Sequence, residues 1–184
     1  VATGTLGVFC SVMIYVFTKR DFWSFGQTAT KFAFTALNLG IATTFLIIFL
    51  FAVAGEQQNA ALLYSQVGRT LAKVLLAGSV TKLLFEASIF MHFAQHRNSP
   101  LKRSARLLLG PLASTTLARV ATGVLGGIIM PAFLLNQNVG DIGNLPSLIT
   151  VGFLFTACLC GELLERYQFF AAVSAPRMPG GPRR

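Results

Sequence analysis

Acidic residues are scarce in this chain: six Asp and Glu stand against fifteen Lys and Arg in 184 residues, a formal charge of +9. Cysteine is rarer still. Cys10, Cys158 and Cys160 have neither paired count nor CxxC spacing, which argues against a disulfide framework or an iron–sulfur site within the chain and leaves buried structural thiols as the plain reading. Only two histidines occur, His92 and His96, four residues apart on one helical segment. A bis-histidine haem needs ligands on opposite faces of the iron, so no haem is expected here. Nucleophile–base pairs, phosphate-binding glycine loops, metal-ligand clusters and internal repeats are also lacking, so the segment itself carries no expected catalytic residue and no metal site. A basic leader followed by a short apolar stretch and a small-residue cleavage site is missing too, and the chain opens at Val1 inside an apolar run; the expectation is a C-terminal part of a longer membrane protein.

What the chain has in abundance is grease. Hydrophobic residues make up 54% and charged residues 11%, with a mean hydropathy of +0.66. Such a composition excludes an ordinary soluble domain and predicts an all-α, polytopic transmembrane helix bundle. Five spans are expected, at about residues 3–18, 32–54, 67–93, 111–135 and 147–173, within a bundle covering 1–175; a basic, Pro- and Gly-rich tail follows at 176–184. Pro111 and Pro146 suit helix starts, and Gly55 and the stretch 136–143 suit helix ends. Trp23, Phe22, Phe25 and Tyr64 stand where aromatic anchors meet lipid headgroups.

The cations are distributed as a topology signal rather than as a nucleic-acid patch. Lys19, Arg20 and Lys31 fall in the first loop, Arg97, Lys102, Arg103 and Arg106 in the third, and Arg177, Arg183 and Arg184 in the tail, while the opposite loops offer Arg69 alone. Ten against one places the first loop, the third loop and the C-terminus in the cytoplasm of a bacterial inner membrane. Residues 101–109 read as an amphipathic segment on that surface, its cations toward lipid phosphates or a cytoplasmic partner.

Charges inside the spans carry the most information, because a lone one costs about 2.5–3.5 kcal/mol on insertion scales. Lys82, Arg119 and Arg166 supply three positive charges and Glu86, Glu162 and Glu165 three negative ones, at similar expected depth. Lys82 and Glu86 are four residues apart, as are Glu162 and Arg166, so each pair shares a helix face. Two readings stand side by side: an interhelical ion network that specifies packing, or a proton path and polar wall beside a redox-active lipid. Gly123 and Gly127 form a GxxxG packing face, and Asn38, Ser79, Thr81 and Ser88 are candidates for hydrogen bonds between helices.

Three segments carry a family resemblance. Gly7-Val-Phe-Cys-Ser-Val-Met-Ile-Tyr15 with Lys19-Arg20-Asp21-Phe22-Trp23, the stretch from Ser99 to Leu112, and Gly161-Glu-Leu-Leu-Glu-Arg-Tyr-Gln-Phe-Phe170 with Ala175-Pro-Arg-Met-Pro179 resemble the membrane-anchor subunits of the dimethyl sulfoxide reductase family. The Gly-Glu-Leu-x-x-Arg piece is the most distinctive. The resemblance implies the last five helices of an eight-helix anchor, with an iron–sulfur subunit and a molybdopterin catalytic subunit as partners. It also implies exchange of electrons and protons with a membrane quinone, and no haem. The family's quinol-handling His and Glu belong to N-terminal helices outside this sequence, so no quinone-site residue is carried over. A transporter or channel fragment with a charged intramembrane layer is the alternative; it predicts helices broken at mid-membrane.

Overall fold

Helix length follows from the apolar runs and from what interrupts them. The computed structural model describes residues 2–18, 23–94, 100–137, 142 and 144–172. In these, α1 spans Ala2–Val16, α2 Phe25–Val53, α3 Gln57–Leu63, α4 Arg69–Ala87, α5 Pro100–Leu109, α6 Ala113–Val124, α7 Met130–Leu135 and α8 Leu145–Ala171. A π-helical turn, Tyr64–Gly68, joins α3 to α4, and another, Leu125–Ile129, joins α6 to α7; a 3₁₀ segment, Ser88–Ala94, continues α4. The result is an all-α bundle with four continuous helices long and apolar enough to cross a membrane: Phe25–Val53, Gln57–Met91, Ala113–Leu135 and Leu145–Ala171. At 1.5 Å per residue α2 is about 43 Å long, against a hydrocarbon core of about 30 Å. The expected first span is a shorter apolar helix, α1, packed on α2.

Two starts lie well upstream of the expected ones. α2 begins at Phe25 rather than near residue 32, because Gln27-Thr-Ala-Thr-Lys31 contains no breaker after Ser24, which sits extended at the N-cap. The second long helix begins at Gln57 rather than near residue 67: Gly55, at φ 100°, takes the turn that ends α2, and nothing up to Val67 stops a new helix. Pro146 stands at the first turn of α8, where its missing N–H leaves no bond unmade.

Packing is organised by three stripes with spacings of three and four residues. On α2 the stripe runs Lys31, Thr35, Asn38, Ala42, Phe45, Phe49; on α4, Ala72, Leu75, Ser79, Lys82, Glu86; on α8, Val151, Leu154, Cys158, Glu162, Glu165, Phe169. Each is apolar in one half and polar in the other. Since α2 runs antiparallel to both α4 and α8, the apolar halves coincide, and so do the polar ones. Phe45, Phe49, Tyr64, Leu75, Leu134 and Leu154 fill the first end of the bundle. Large apolar side chains such as Leu6, Ile47, Phe51, Leu117 and Phe153 face outward, as a lipid-facing surface requires.

Several expectations change here. Tyr64 is no interfacial anchor: it is 1% exposed, and its hydroxyl donates to the Leu134 carbonyl at 2.7 Å. Its ring folds back over Gly68, where a Cβ would approach the ring to 2.6 Å. Trp23 also turns inward, stacking on Phe169 at 5.5 Å and donating its indole N–H to the Phe169 carbonyl at 3.1 Å. Of the three thiols only Cys158 is buried, since positions 158 and 160 lie on different faces of α8. Lys19, Arg20, His96, Arg97, Asp141 and the tail 176–184 lie outside the described residues, as does the side chain of His92.

Candidate functional site

Lys82 is the hub of the polar end. It is 1% exposed and lies within a membrane-spanning helix, where an unpaired ammonium would be costly. Its three N–H donors meet three acceptors: the Glu162 carboxylate, Glu165 Oε2 at 2.7 Å and Thr35 Oγ1 at 3.1 Å. Glu86 Oε1, one turn along the same helix, stands 4.0 Å away.

Arg119 closes the other side. From α6 its Nη2 donates to Glu86 Oε1 at 2.9 Å and lies 3.9 Å from Glu162 Oε1. Two glycines make room for the guanidinium: a Cβ at Gly123 would sit 2.7 Å from Arg119 Nη1, and one at Gly161 3.2 Å. Gly123 thus serves the charge as well as the helix contact, where Leu83 of α4 comes within 3.1 Å of the same Cβ position. Gly127 packs directly on Ser79, and Gly126 on Cys158, so the π-helical turn lies close against both α4 and α8.

Sequence spacing missed two members of this layer and misplaced one. Lys31, expected in a loop, lies inside α2 with Nζ 3.9 Å from Glu165 Oε1. Thr35, one turn further, donates to Glu162 Oε2 at 2.6 Å, with the Lys31 carbonyl (2.9 Å) and Glu165 Oε2 (3.4 Å) as competing acceptors for its single proton. Arg166, expected opposite Glu162, is instead seated over the Phe32 ring, 3.5 Å from its centroid. The reason is competition: Glu162 is already occupied by Lys82 and Thr35, while an aromatic face next to Lys31 offers the guanidinium a cation–π contact. The layer therefore holds Lys31, Lys82 and Arg119 against Glu86, Glu162 and Glu165, and remains electroneutral with a different third cation. The α2 stripe was the available signal: extended downward in steps of three and four from Phe45, it reaches Asn38, Thr35 and Lys31.

The expected hydrogen-bonding residues behave differently. Thr81 and Ser88 bond back to their own helix, at the carbonyls of Ala77 and Phe85. Asn38 and Ser79 are buried beside the layer, lining a pocket of about 10 Å³ with Lys82 and Arg119, and Asn38 Oδ1 and Arg119 Nε have no partner there.

A larger cleft, of about 130 Å³, opens on the other side of the layer, toward α5. Glu86, Arg119, Lys31 and Glu165 border it from the layer, and Gln168 and Thr116 from α8 and α6. Glu86 is the most accessible of the three carboxylates, its side chain 16% exposed against 7% for Glu162 and 4% for Glu165. α5 itself packs Ser104, Ala105 and Leu108 inward and leaves Arg106 exposed, with Leu108 forming part of the cleft. Among the described residues no group of three or more His, Cys, Asp or Glu side chains is placed to hold a metal ion. No protein-family model matches the chain, and no curated protein or solved structure matches it either.

Proposed function

We propose that this chain is the helical membrane anchor of a molybdopterin and iron–sulfur oxidoreductase, linking its partner subunits to the quinone pool of a bacterial inner membrane, with its C-terminus in the cytoplasm. One observation carries the reading. The segment most distinctive in the family resemblance, Gly161-Glu-Leu-x-x-Arg, is the one around which the polar layer is built. Glu162 and Glu165 hold Lys82, Gly161 makes room for Arg119, and Arg166 packs on α2. Four of the six charges of that layer, Lys82, Arg119, Glu162 and Glu165, are buried and the other two, Lys31 and Glu86, partly so, and such charges are costly in lipid unless paired or used.

Quinone is an exchangeable substrate in this reading, and the molybdopterin and iron–sulfur groups belong to the partner subunits. The amphipathic α5 offers a surface to lipid phosphates or to a partner on its side of the membrane. Within the layer, Glu162 and Glu165 are enclosed and multiply bonded, which suits packing. Glu86 borders the cleft, which suits exchange with a small molecule or water. A transporter or channel is less well supported: both π-helical turns keep their helices continuous, and no mid-membrane break exposes backbone to a ligand among the described residues.

The test is purification of the full-length protein from its native membrane, with metal analysis. A stoichiometric complex containing iron and molybdenum or tungsten is expected; a metal-free bundle recovered alone would refute the assignment. Reporter fusions check the orientation independently: those at Arg103 and Arg184 should read cytoplasmic and one at Glu56 exoplasmic.

A further inference from the structure

The 130 Å³ cleft has a chemistry of its own. Its walls combine apolar side chains, among them Leu83, Ile89, Phe90 and Leu108, with the carboxylate of Glu86 and the amides of Gln27 and Gln168. Val120, 44% exposed, and Ser88, also exposed, belong to the lining, so the cleft reaches the lateral surface between the end of α4 and α6. The opening lies on a membrane-spanning face of the bundle, where a lipid-soluble molecule can enter.

Charge and size narrow the occupant further. The bordering layer is already neutral, three cations to three carboxylates, so an ion entering alone would be left uncompensated in a low-dielectric site. The volume suits a single ring and is well below that of typical drug-sized pockets, about 300–1,000 Å³. Both ion-pair contacts of Glu86 fall on Oε1, at 2.9 Å from Arg119 and 4.0 Å from Lys82. Oε2 is therefore left to accept a hydrogen bond from the cleft. Gln27 and Gln168 line the same site; Gln168 Nε2 donates to Thr116 Oγ1 at 3.3 Å and keeps its second N–H, so the two amides supply donors there. A neutral, flat, lipid-soluble ring bearing hydroxyl or carbonyl oxygens satisfies all of these conditions.

We propose that the cleft is a binding site for a quinone or quinol headgroup, with Glu86 Oε2 accepting from a ring hydroxyl and the glutamine amides facing a ring oxygen. The choice of quinone among such rings rests on the anchor reading above; the site itself rests on the cleft. Glu86 is then a ligand-binding residue, and Glu162 and Glu165 are positioning residues that hold Lys82 and Arg119 around it.

Photolabelling tests the site without relying on turnover. The full-length protein with whatever partners co-purify, in lipid nanodiscs, is irradiated with an azido-substituted decyl-benzoquinone, and the labelled peptides are mapped. Label is expected within 83–90 or 108–120. Val120→Trp, which fills the mouth, should reduce it at least tenfold, and Glu86→Gln should weaken probe binding about tenfold. Ile149→Trp, on an exposed face near the start of α8, should leave it unchanged. Label confined to other helices, or retained in both Val120→Trp and Glu86→Gln, overturns the site even if molybdenum and iron are present. Label in the cleft of a metal-free protein keeps the site and removes the anchor reading.

Discussion

The two ends of the bundle are built by the same helices with opposite means. At one end α2, α4 and α8 meet through Phe45, Phe49, Leu75 and Leu154, and Tyr64 contributes a single buried hydroxyl that finds the Leu134 carbonyl. At the other they meet through Lys31, Thr35, Lys82, Glu162 and Glu165, with Arg119 entering from α6. Apolar contacts are individually replaceable, because lipid tails solvate the same surfaces almost as well and only packing is lost. The charged contacts are interdependent: each carboxylate has at least two cationic neighbours, and removing one member leaves the others unbalanced in a medium that cannot solvate them. One end tolerates change; the other fixes helix rotation.

Substitution tests that contrast directly. Lys82→Met should have the largest effect, about 3–5 kcal/mol, because Glu162 and Glu165 both lose their nearest cation. The measurement is the unfolding midpoint in mixed detergent, supported by the yield of monodisperse protein. Glu162→Gln keeps size and hydrogen bonding but unbalances Lys82, and should cost about 2–3 kcal/mol; Glu86→Gln, at the cleft margin, should cost roughly 1 kcal/mol. Arg166→Met should lose only a cation–π contact, about 0.5–1 kcal/mol, and less than Lys31→Met in the same assay. If Arg166→Met proved the more damaging, Lys31 would not be the third cation of the layer. Comparably small, Tyr64→Phe at the apolar end should cost about 0.6 kcal/mol, the average for hydrogen bonds between membrane helices.

Much of the fold was legible in the sequence because a membrane span needs only length and apolarity, both visible in a run of residues. The helix starts were less so. Lys31 within the first turns of α2 looks like loop chemistry until Glu165 stands near its ammonium, and Gln57–Leu63 looks polar until the helix around it exists. The charged layer was legible as a set of charges, since each is expensive where it stands. Its pairing was not. Spacing of four residues shows that Glu162 and Arg166 can meet; whether they do depends on which other groups compete for them, and here Lys82 and Thr35 hold Glu162 while Phe32 receives Arg166. Tyr64 was misread for a related reason: an aromatic residue with a hydroxyl suits a headgroup interface, but it equally suits a core that offers a carbonyl.

The central claim is that the polar end acts as one coupled network with Lys82 at its hub, and a double-mutant cycle between Lys82→Met and Glu162→Gln, read from unfolding midpoints of the membrane-extracted protein, tests it most directly. The network predicts that the double variant is more stable than the sum of the single costs by about 1.5 kcal/mol or more, because the neutral partners no longer strand a buried charge on each other. Costs that add to within about 0.5 kcal/mol would mean that the two side chains do not share the interaction on which this account depends.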